Sequence, residues 1–208
     1  MTFNTQTILI LLIWLFNISG IIGIALGYTD WFLPLTPLNL MVYLSSIVIM
    51  HSFSYKTLLY LLIPFCIGML TEYLGVQYGL IFGSYSYGAN LGYKILGVPL
   101  MIGVNWAVLV YTTAAIARKI IPNTIFVSSF IGATLMVVLD TIIEISAPRF
   151  DFWEFKDGIV PLQNYIGWLG TAFIAHFWFQ KLVDTYHFKI SLHIFIAILV
   201  FFSTFLFV

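Results

Sequence analysis

Three carboxylic acids lie inside long apolar segments of this 208-residue sequence: Glu72, Asp140 and Glu144. An acidic side chain at the centre of a membrane-spanning helix costs about 2.5–3.5 kcal/mol on translocon insertion scales, so such residues are rare and usually functional. Apolar surroundings favour the protonated form of a carboxyl group because desolvation disfavours its charge. A deep acid can therefore donate a proton, while a second carboxylate nearer water accepts one. These residues indicate acid–base chemistry.

Two of the acids, Glu72 and Asp140, reach a similar depth. Glu72 follows Lys56 by sixteen residues, which is about 24 Å of helix. Asp140 follows Asn123 by seventeen residues, which is about 25 Å, and the two predicted helices run in the same direction. We call Glu72 and Asp140 the two deep acids. Glu144 follows Asp140 by four residues and therefore shares its helix face, one turn nearer the surface.

Amide and indole side chains approach the same depth from the same face of the membrane. Asn105 and Trp106 lie about 12 Å inside it on a helix that runs back. Asn164 and Trp168 belong to a helix that starts there. We therefore predict that both deep acids face one internal cavity and that the two asparagine amides in its wall orient water.

Small residues share the helix faces of the acids, as expected where membrane helices approach closely. The two faces comprise Pro64, Gly68, Glu72, Gly75 and Gly79 in one helix, and Gly132, Met136, Asp140 and Glu144 in the other. This pattern predicts that the acids point into a helix bundle. The alternative is structural: the acids are packing groups satisfied by tyrosine hydroxyls, by Asn105 or by Lys94.

Aromatic residues cluster in the two non-helical segments. Tyr85, Tyr87 and Trp153 can form an interfacial aromatic belt, which is the usual role of such residues, or the mouth of a cavity for an apolar ligand. The acids in the same polar loop as Trp153 are expected to be solvated; they are Asp151, Glu154 and Asp157.

The sequence contains no recognisable metal or cofactor motif. The four histidines are scattered and no pair has i, i+4 spacing, while the single cysteine lies in an apolar run where we expect it to pack; these residues are His51, His176, His187, His193 and Cys66. The HExxH, GxSxG, P-loop and dinucleotide-binding patterns are absent. We therefore predict neither a metal nor an organic cofactor.

The amino-acid composition indicates that these residues lie in a membrane protein. Apolar residues make up 62% of the chain and charged residues 8%, with a mean hydropathy of +1.05, whereas soluble chains are about half apolar and a quarter charged. The net charge is zero, so nothing suggests nucleic-acid binding. We predict an all-α fold: a polytopic membrane helix bundle forming one integral-membrane domain over residues 1–208.

Turn and charge signals divide the chain into about seven transmembrane helices. We place them at about Thr7–Tyr28, Leu38–His51, Thr57–Gly79, Leu96–Ala117, Asn123–Ile145, Leu162–Lys181 and from Phe188 to the carboxyl terminus. Asp30, Pro34 and Pro37 are expected to break the chain before the second helix. Gly- and Tyr-rich residues 82–94 and polar residues 147–161 lie outside helices. Basic residues number five on the amino-terminal side and three on the other, which favours a cytoplasmic amino terminus. We expect a multi-pass protein of the bacterial cytoplasmic membrane.

Two blocks of sequence resemble a known family. The first contains Glu72-Tyr-Leu-Gly75, Phe82-Gly-Ser-Tyr85-Ser-Tyr87, Gly97-Val-Pro99 and Asn105-Trp106; the second contains Asp140, Phe152-Trp153, Gly158-Ile-Val-Pro161 and Asn164 with Trp168. In order and spacing they resemble the carotenoid-biosynthesis membrane proteins that include gamma-carotene 1',2'-hydratase and bisanhydrobacterioruberin hydratase. The chain departs from that pattern at Ala147, where the family has Asp, and around Gly103-Val-Asn105, where it has Pro-Leu-Ala.

The resemblance implies a carotenoid hydratase, a hydro-lyase that adds water across the terminal 1,2 double bond of an acyclic carotenoid end to give a tertiary alcohol. The residues permit this chemistry. We expect Glu72 or Asp140 as the acid, with Glu144 or the other of that pair as the base. Aromatic faces stabilise a cation, and the expected substrate-binding residues are Tyr85, Tyr87, Asn105, Trp106, Trp153, Asn164 and Trp168. The expected partners are a carotenoid, water, membrane lipid and other carotenoid-pathway enzymes.

Two alternatives remain open. In a lycopene-type cyclase the same cation would be captured by a neighbouring double bond, and a dry pocket would favour that reaction over hydration. A small transporter or proton pathway would use the acids as relay groups, but it would more often show broken helices in symmetric halves, and the sequence has no internal repeat. Pigment mass in a carotenoid-accumulating host separates these possibilities.

Overall fold

A computed structural model of the chain describes residues 4–206. Its helices are α1 (Thr5–Ala25), α2 (Thr29–Phe32), a 3-10 turn (Leu33–Leu35), α3 (Thr36–Met50), α4 (Tyr55–Tyr78), α5 (Leu100–Ile120), α6 (Ile125–Ser146), α7 (Leu162–Leu182) and α8 (Phe188–Thr204). Apart from the single-turn α2, seven helices pack together, which confirms the predicted bundle. The carboxyl-terminal end of the last predicted helix, residues 207–208, lies outside the described residues.

The break predicted before Leu38 is wrong, because the chain is helical almost continuously from Thr29 to Met50. Pro34 and Pro37 lie in the first turns of the 3-10 segment and of α3. The first turn of a helix has unpaired N–H groups, so proline removes no hydrogen bond there. The prolines therefore start helical segments here.

Among the described residues, five segments are long and apolar enough to cross a membrane: α1, Thr29–Met50, α4, α5 and α6. Helix α8 is apolar but has 17 residues, and α7 has 21. The chain is a multi-pass membrane protein.

The strict all-α prediction omits four short strands, β1 (Tyr85–Tyr87), β2 (Lys94–Ile95), β3 (Val98–Pro99) and β4 (Trp153–Phe155). Strand β1 pairs antiparallel with β4, and β2 pairs with β3. Strands of two or three residues are too short to show an alternating hydrophobic pattern. The β1–β4 ribbon joins the two segments that were predicted to be non-helical.

Helix α5 is the centre of the bundle. It packs against α3, α4, α6, α7 and α8, and every residue from Trp106 to Ala117 is buried. The acid-bearing faces of α4 and α6 turn inward as predicted, since Gly68, Glu72 and Asp140 are all buried. Cys66, expected to pack inside, is instead exposed on the outer surface of α4.

Candidate active site

An internal cavity of about 20 Å³ lies where α4, α5, α6 and α7 meet the β1–β4 ribbon. Its wall consists of Glu72 from α4, Phe82 from the segment between α4 and β1, Tyr85 and Tyr87 from β1, Ile102, Asn105 and Trp106 from α5, Glu144 from α6, Trp153 from β4, and Asn164 and Trp168 from α7. A cavity needs roughly 10–15 Å³ to hold one water molecule. This space therefore fits a single water among carboxyl, amide and aromatic groups.

Glu72 is surrounded by hydrogen-bond donors. The Trp106 indole Nε1–H donates to Oε1 at 3.0 Å, and the Tyr87 hydroxyl donates to Oε2 at 2.6 Å. The Tyr85 hydroxyl donates to the same Oε2 in a short hydrogen bond. Burial disfavours the charge of this carboxyl group, and the three neutral donors that converge on it offset part of that cost.

The strand geometry of β1 explains why both tyrosines reach Glu72. Alternate residues of a strand point to the same face, so Tyr85 and Tyr87 are buried while Ser86 is exposed. Burial first, and the nearby Glu72 carboxyl second, raise the pKa of Tyr85 and of Tyr87 above the usual phenol value. Both hydroxyls therefore keep their protons and donate.

Two glycines of α4 make room for these donors. A Cβ atom at Gly75 would lie 2.8 Å from the Tyr85 hydroxyl oxygen, and one at Gly68 would lie 2.3 Å from Cγ of Trp106. Real Cβ contacts are longer than this, so any side chain at these positions would displace the donors. The small-residue face of α4 thus lets the ribbon and α5 approach Glu72.

Asp140 and Glu144 form a second group, joined by one amide. Asn164 Nδ2 donates to Asp140 Oδ2 at 3.0 Å and to Glu144 Oε1 at 3.1 Å. The Trp153 indole donates to the other Glu144 oxygen at 2.9 Å. Like charges this close disfavour simultaneous ionisation, so one proton tends to remain on such a pair.

The predicted placement of the deep acids is corrected in one respect. Glu72 lines the cavity, but Glu144 lines it in place of Asp140. Asp140 is 2% exposed and reaches the cavity only through the Asn164 amide. Its position one helical turn deeper on α6 places Asp140 behind Asn164.

All seven predicted substrate-binding residues lie in the cavity wall, which also contains Phe82 and Ile102. The Trp106 and Trp168 rings stack at 4.6 Å between centroids, with 16° between their planes, and Phe82 lies within 6.4 Å of both rings. Phe82 begins the Phe-Gly-x-Tyr-x-Tyr motif, which was the available signal for its role. Tyr85 and Tyr87 face this interior, which rules out an interfacial belt for them.

The loop acids and His176 do not belong to the cavity wall. Asp151, Glu154 and Asp157 are exposed as expected, and Asp151 accepts the Ala89 backbone N–H at 2.7 Å. His176 is buried against Thr113, at 2.8 Å between Nε2 and Oγ1. Within residues 4–206, no group of three His, Cys, Asp or Glu side chains is placed to hold a metal ion.

Comparison with known proteins identifies a family and a relative of this chain. Residues 33–208 match the family model described as carotenoid biosynthesis protein. A 113-residue segment is 32% identical to bisanhydrobacterioruberin hydratase of Haloarcula japonica. That segment is 50% of this chain and 38% of the relative's length. No solved structure matches the chain.

Proposed function

This chain belongs to the carotenoid biosynthesis protein family, and from that premise we propose that it is a cofactor-independent carotenoid hydratase. The substrate is an acyclic carotenoid, and the reaction adds water across the terminal 1,2 double bond of its end group. One observation carries the proposal: Glu72 and Glu144 lie in the wall of the same water-sized, aromatic cavity. The hydratase named among its relatives supports the same reaction class.

Glu144 is the proton donor in this proposal. It faces the cavity and shares the Asn164 amide with Asp140, so the pair retains one proton in its low-dielectric setting. Glu144 transfers that proton to the less substituted alkene carbon, and the alkene π electrons form the new C–H bond. Asp140 acts through Asn164 as a positioning residue that keeps Glu144 protonated.

The resulting tertiary cation is stabilised by aromatic rings. The Trp106–Trp168 stack and Phe82 form one wall of the cavity, and ring faces attract a cation through their quadrupole. The two asparagine amides, Asn105 and Asn164, lie in the same wall and orient the attacking water.

Glu72 is the base. Its three donors stabilise its ionised form, so it can take a proton from water as the water oxygen bonds to the cationic carbon. The product is the tertiary alcohol. The proton then returns from Glu72 to Glu144 through water, so the enzyme is unchanged and the net reaction consumes one alkene and one water.

The cavity supports hydration over cyclisation. Cyclisation would need a dry space into which a second double bond folds, whereas this cavity has room for about one water beside two carboxyl and two amide groups. A carotenoid end is larger than that space, so the substrate must enter by displacing part of the wall.

Pigment analysis tests the proposal. The gene is expressed in a host that accumulates lycopene or gamma-carotene, and pigments are separated and weighed by mass spectrometry. We expect a product heavier by one water, and we expect none with Glu72→Gln at equal protein level. A product of unchanged mass would indicate a cyclase, and unchanged pigment would contradict both enzymes.

A further inference from the structure

Beyond the Tyr87–Trp153 end of the β1–β4 ribbon, residues 88–90 and residues 150–152 lie against each other, and we call this pair of segments the clasp. Backbone and side-chain hydrogen bonds join the two segments. They run, from donor to acceptor, from Gly88 N to Phe152 O at 2.9 Å, from Ala89 N to Asp151 Oδ2 at 2.7 Å and from Asn90 Nδ2 to Phe150 O at 2.9 Å.

Asp151 is the central residue of the clasp, and its backbone conformation is unusual. Its φ is 51°, in the left-handed region that few residues other than glycine adopt, although Asp and Asn tolerate it better than the rest. A Cβ atom at Gly88 would lie 2.2 Å from the Asp151 carbonyl oxygen and 2.2 Å from Oδ1, so no side chain fits between the segments. The position therefore requires a residue that tolerates a positive φ and whose short side chain accepts a hydrogen bond.

The clasp is also fixed to the end of α6, the helix that carries Glu144. The Asp151 N–H donates to the Pro148 carbonyl oxygen at 3.1 Å, and the Phe152 N–H donates to the Ala147 carbonyl oxygen at 3.0 Å. Helix α6 ends at Ala147. Asp151 therefore connects the end of α6, through its N–H, with the segment that follows β1, through its side chain.

The residues next to the clasp donate to both cavity acids. Tyr87 and Trp153 are paired across the ribbon, with their ring centroids 6.2 Å apart. The Tyr87 hydroxyl donates to Glu72, and the Trp153 indole donates to Glu144. The clasp begins one residue after Tyr87 and ends one residue before Trp153, so a shift of the clasp moves both donors.

We propose that Asp151 is a positioning residue of the site: by holding the two segments of the clasp together, it keeps the Tyr87 hydroxyl on Glu72 and the Trp153 indole on Glu144. Asp151 is exposed and is not part of the cavity wall, so it acts through these donors and not on the substrate. The consequence for hydration rests on the proposed function, whereas the placement of the donors does not. Hydrogen bonds break and re-form, so the clasp is compatible with entry of a substrate beside the ribbon.

Two substitutions separate the properties of Asp151. Asp151→Gly keeps the left-handed backbone but removes the acceptor, whereas Asp151→Asn keeps both, because an amide oxygen also accepts. Asp157→Gly makes the same change at another exposed acid of this loop and is the control. We expect kcat to fall roughly tenfold to hundredfold in Asp151→Gly, since a misplacement of about 1 Å can cost that much. Asp151→Asn and Asp157→Gly should stay within a few-fold of the natural protein.

The indole N–H groups report the position of the donors without any turnover. Protein labelled with nitrogen-15 tryptophan is studied by NMR in detergent, and signals are assigned from Trp153→Phe and Trp106→Phe. In Asp151→Gly we expect the Trp153 indole signal to shift and its hydrogen to exchange with water roughly tenfold faster, the value of one hydrogen bond. The Trp106 signal should not change, because that indole donates to Glu72 from α5. Asp151→Asn should leave both signals in place.

Gly88→Ala is the second variant, because its Cβ opens the clasp from the opposite segment, and it is used if Asp151→Gly does not fold. A Trp153 signal that neither variant moves overturns the inference. Equal movement of the Trp153 and Trp106 signals also overturns it, since that would be a general loosening of the bundle, and so does an Asp151→Asn variant that behaves like Asp151→Gly. Movement of the Trp153 signal alone, in a protein that hydrates nothing, overturns the proposed function and supports the placement of the donors by Asp151.

Discussion

Glu72 and Glu144 are the same residue type in the same cavity, yet their partners differ. The Trp106 indole can only donate, and the two tyrosines add hydroxyl donors to the other Glu72 oxygen. Glu144 instead shares an amide with a second acid. In the proposed mechanism this difference in environment assigns the base to Glu72 and the acid to Glu144, as in other enzymes that use paired carboxyl groups.

Replacing the proposed base and the proposed acid by their amides tests these roles. Glu72→Gln and Glu144→Gln should each lower turnover at least a hundredfold, because the amides keep the shape but can neither accept nor hold the proton, and general acid–base help is worth roughly 10²–10⁴ in rate. Turnover is measured in membranes beside expression level and thermal stability.

The exposed acids Glu154 and Asp157 provide matched controls. Glu154→Gln and Asp157→Asn make the same chemical change outside the cavity, so we expect turnover within a few-fold of the natural protein. Near-normal turnover in both the Glu72→Gln and the Glu144→Gln variant would disprove the acid–base assignment. Full loss in a loop variant would move the site to the surface.

At the scale of elements, the β1–β4 ribbon forms one wall of the cavity. Tyr87 lies opposite Trp153 in the ribbon, and Tyr85 lies opposite Phe155. The residues between them, Ser86 and Glu154, are paired on the outer face and exposed. Because the cavity has room for one water only, the ribbon is a candidate for the part that moves to admit a carotenoid end.

A reversible crosslink tests that movement. Ser86→Cys with Glu154→Cys, made in a Cys66→Ser background, places two thiols on directly paired residues, where strand spacing suits a disulfide. We expect oxidation to remove most of the turnover by holding the strands together, and reductant to restore it. Each single-cysteine variant serves as the control. Full turnover of the oxidised pair would show that substrate enters between helices.

At the scale of the whole molecule, the acidic groups of the site are concentrated around the cavity, while the outer surface of the bundle is apolar. Large side chains such as Leu15, Leu70, Phe126 and Ile174 are more than half exposed, as expected for helices that face lipid. Glu72 and Glu144 lie instead at one end of the bundle, beneath the ribbon. For the proposed reaction, this arrangement leaves the polyene in apolar surroundings while its end reaches the cavity.

The reaction should need no metal ion. The cavity acids are hydrogen-bonded by neutral hydroxyl, indole and amide donors, and these contacts supply the polarisation that the mechanism requires. Activity of the purified protein in detergent should survive a chelator such as EDTA within experimental error. Activity that disappears and returns with one specific divalent ion would contradict this expectation.

The sequence by itself determined the class of protein, the helices and the buried faces. Hydropathy and length specify spans because lipid leaves backbone groups no other partners, and spacing of three or four residues places Gly68, Glu72 and Gly75 on one face. The family resemblance predicted the residues of the cavity wall, because Tyr85, Tyr87 and Asn164 belong to the two blocks of sequence that resemble the family. The starts of helices were less well predicted, since Pro34 and Pro37 were read as breaks.

Only the tertiary structure decided which groups meet. Asp140 and Glu144 share a helix face, and the position of Asn164 on α7 decides that Glu144 reaches the cavity. The pairing of Tyr87 with Trp153 and the hydrogen bond from Ala89 to Asp151 join residues far apart in the chain. Local periodicity encodes which face of a helix is buried but not which neighbour covers it, because that choice depends on how all the helices pack together.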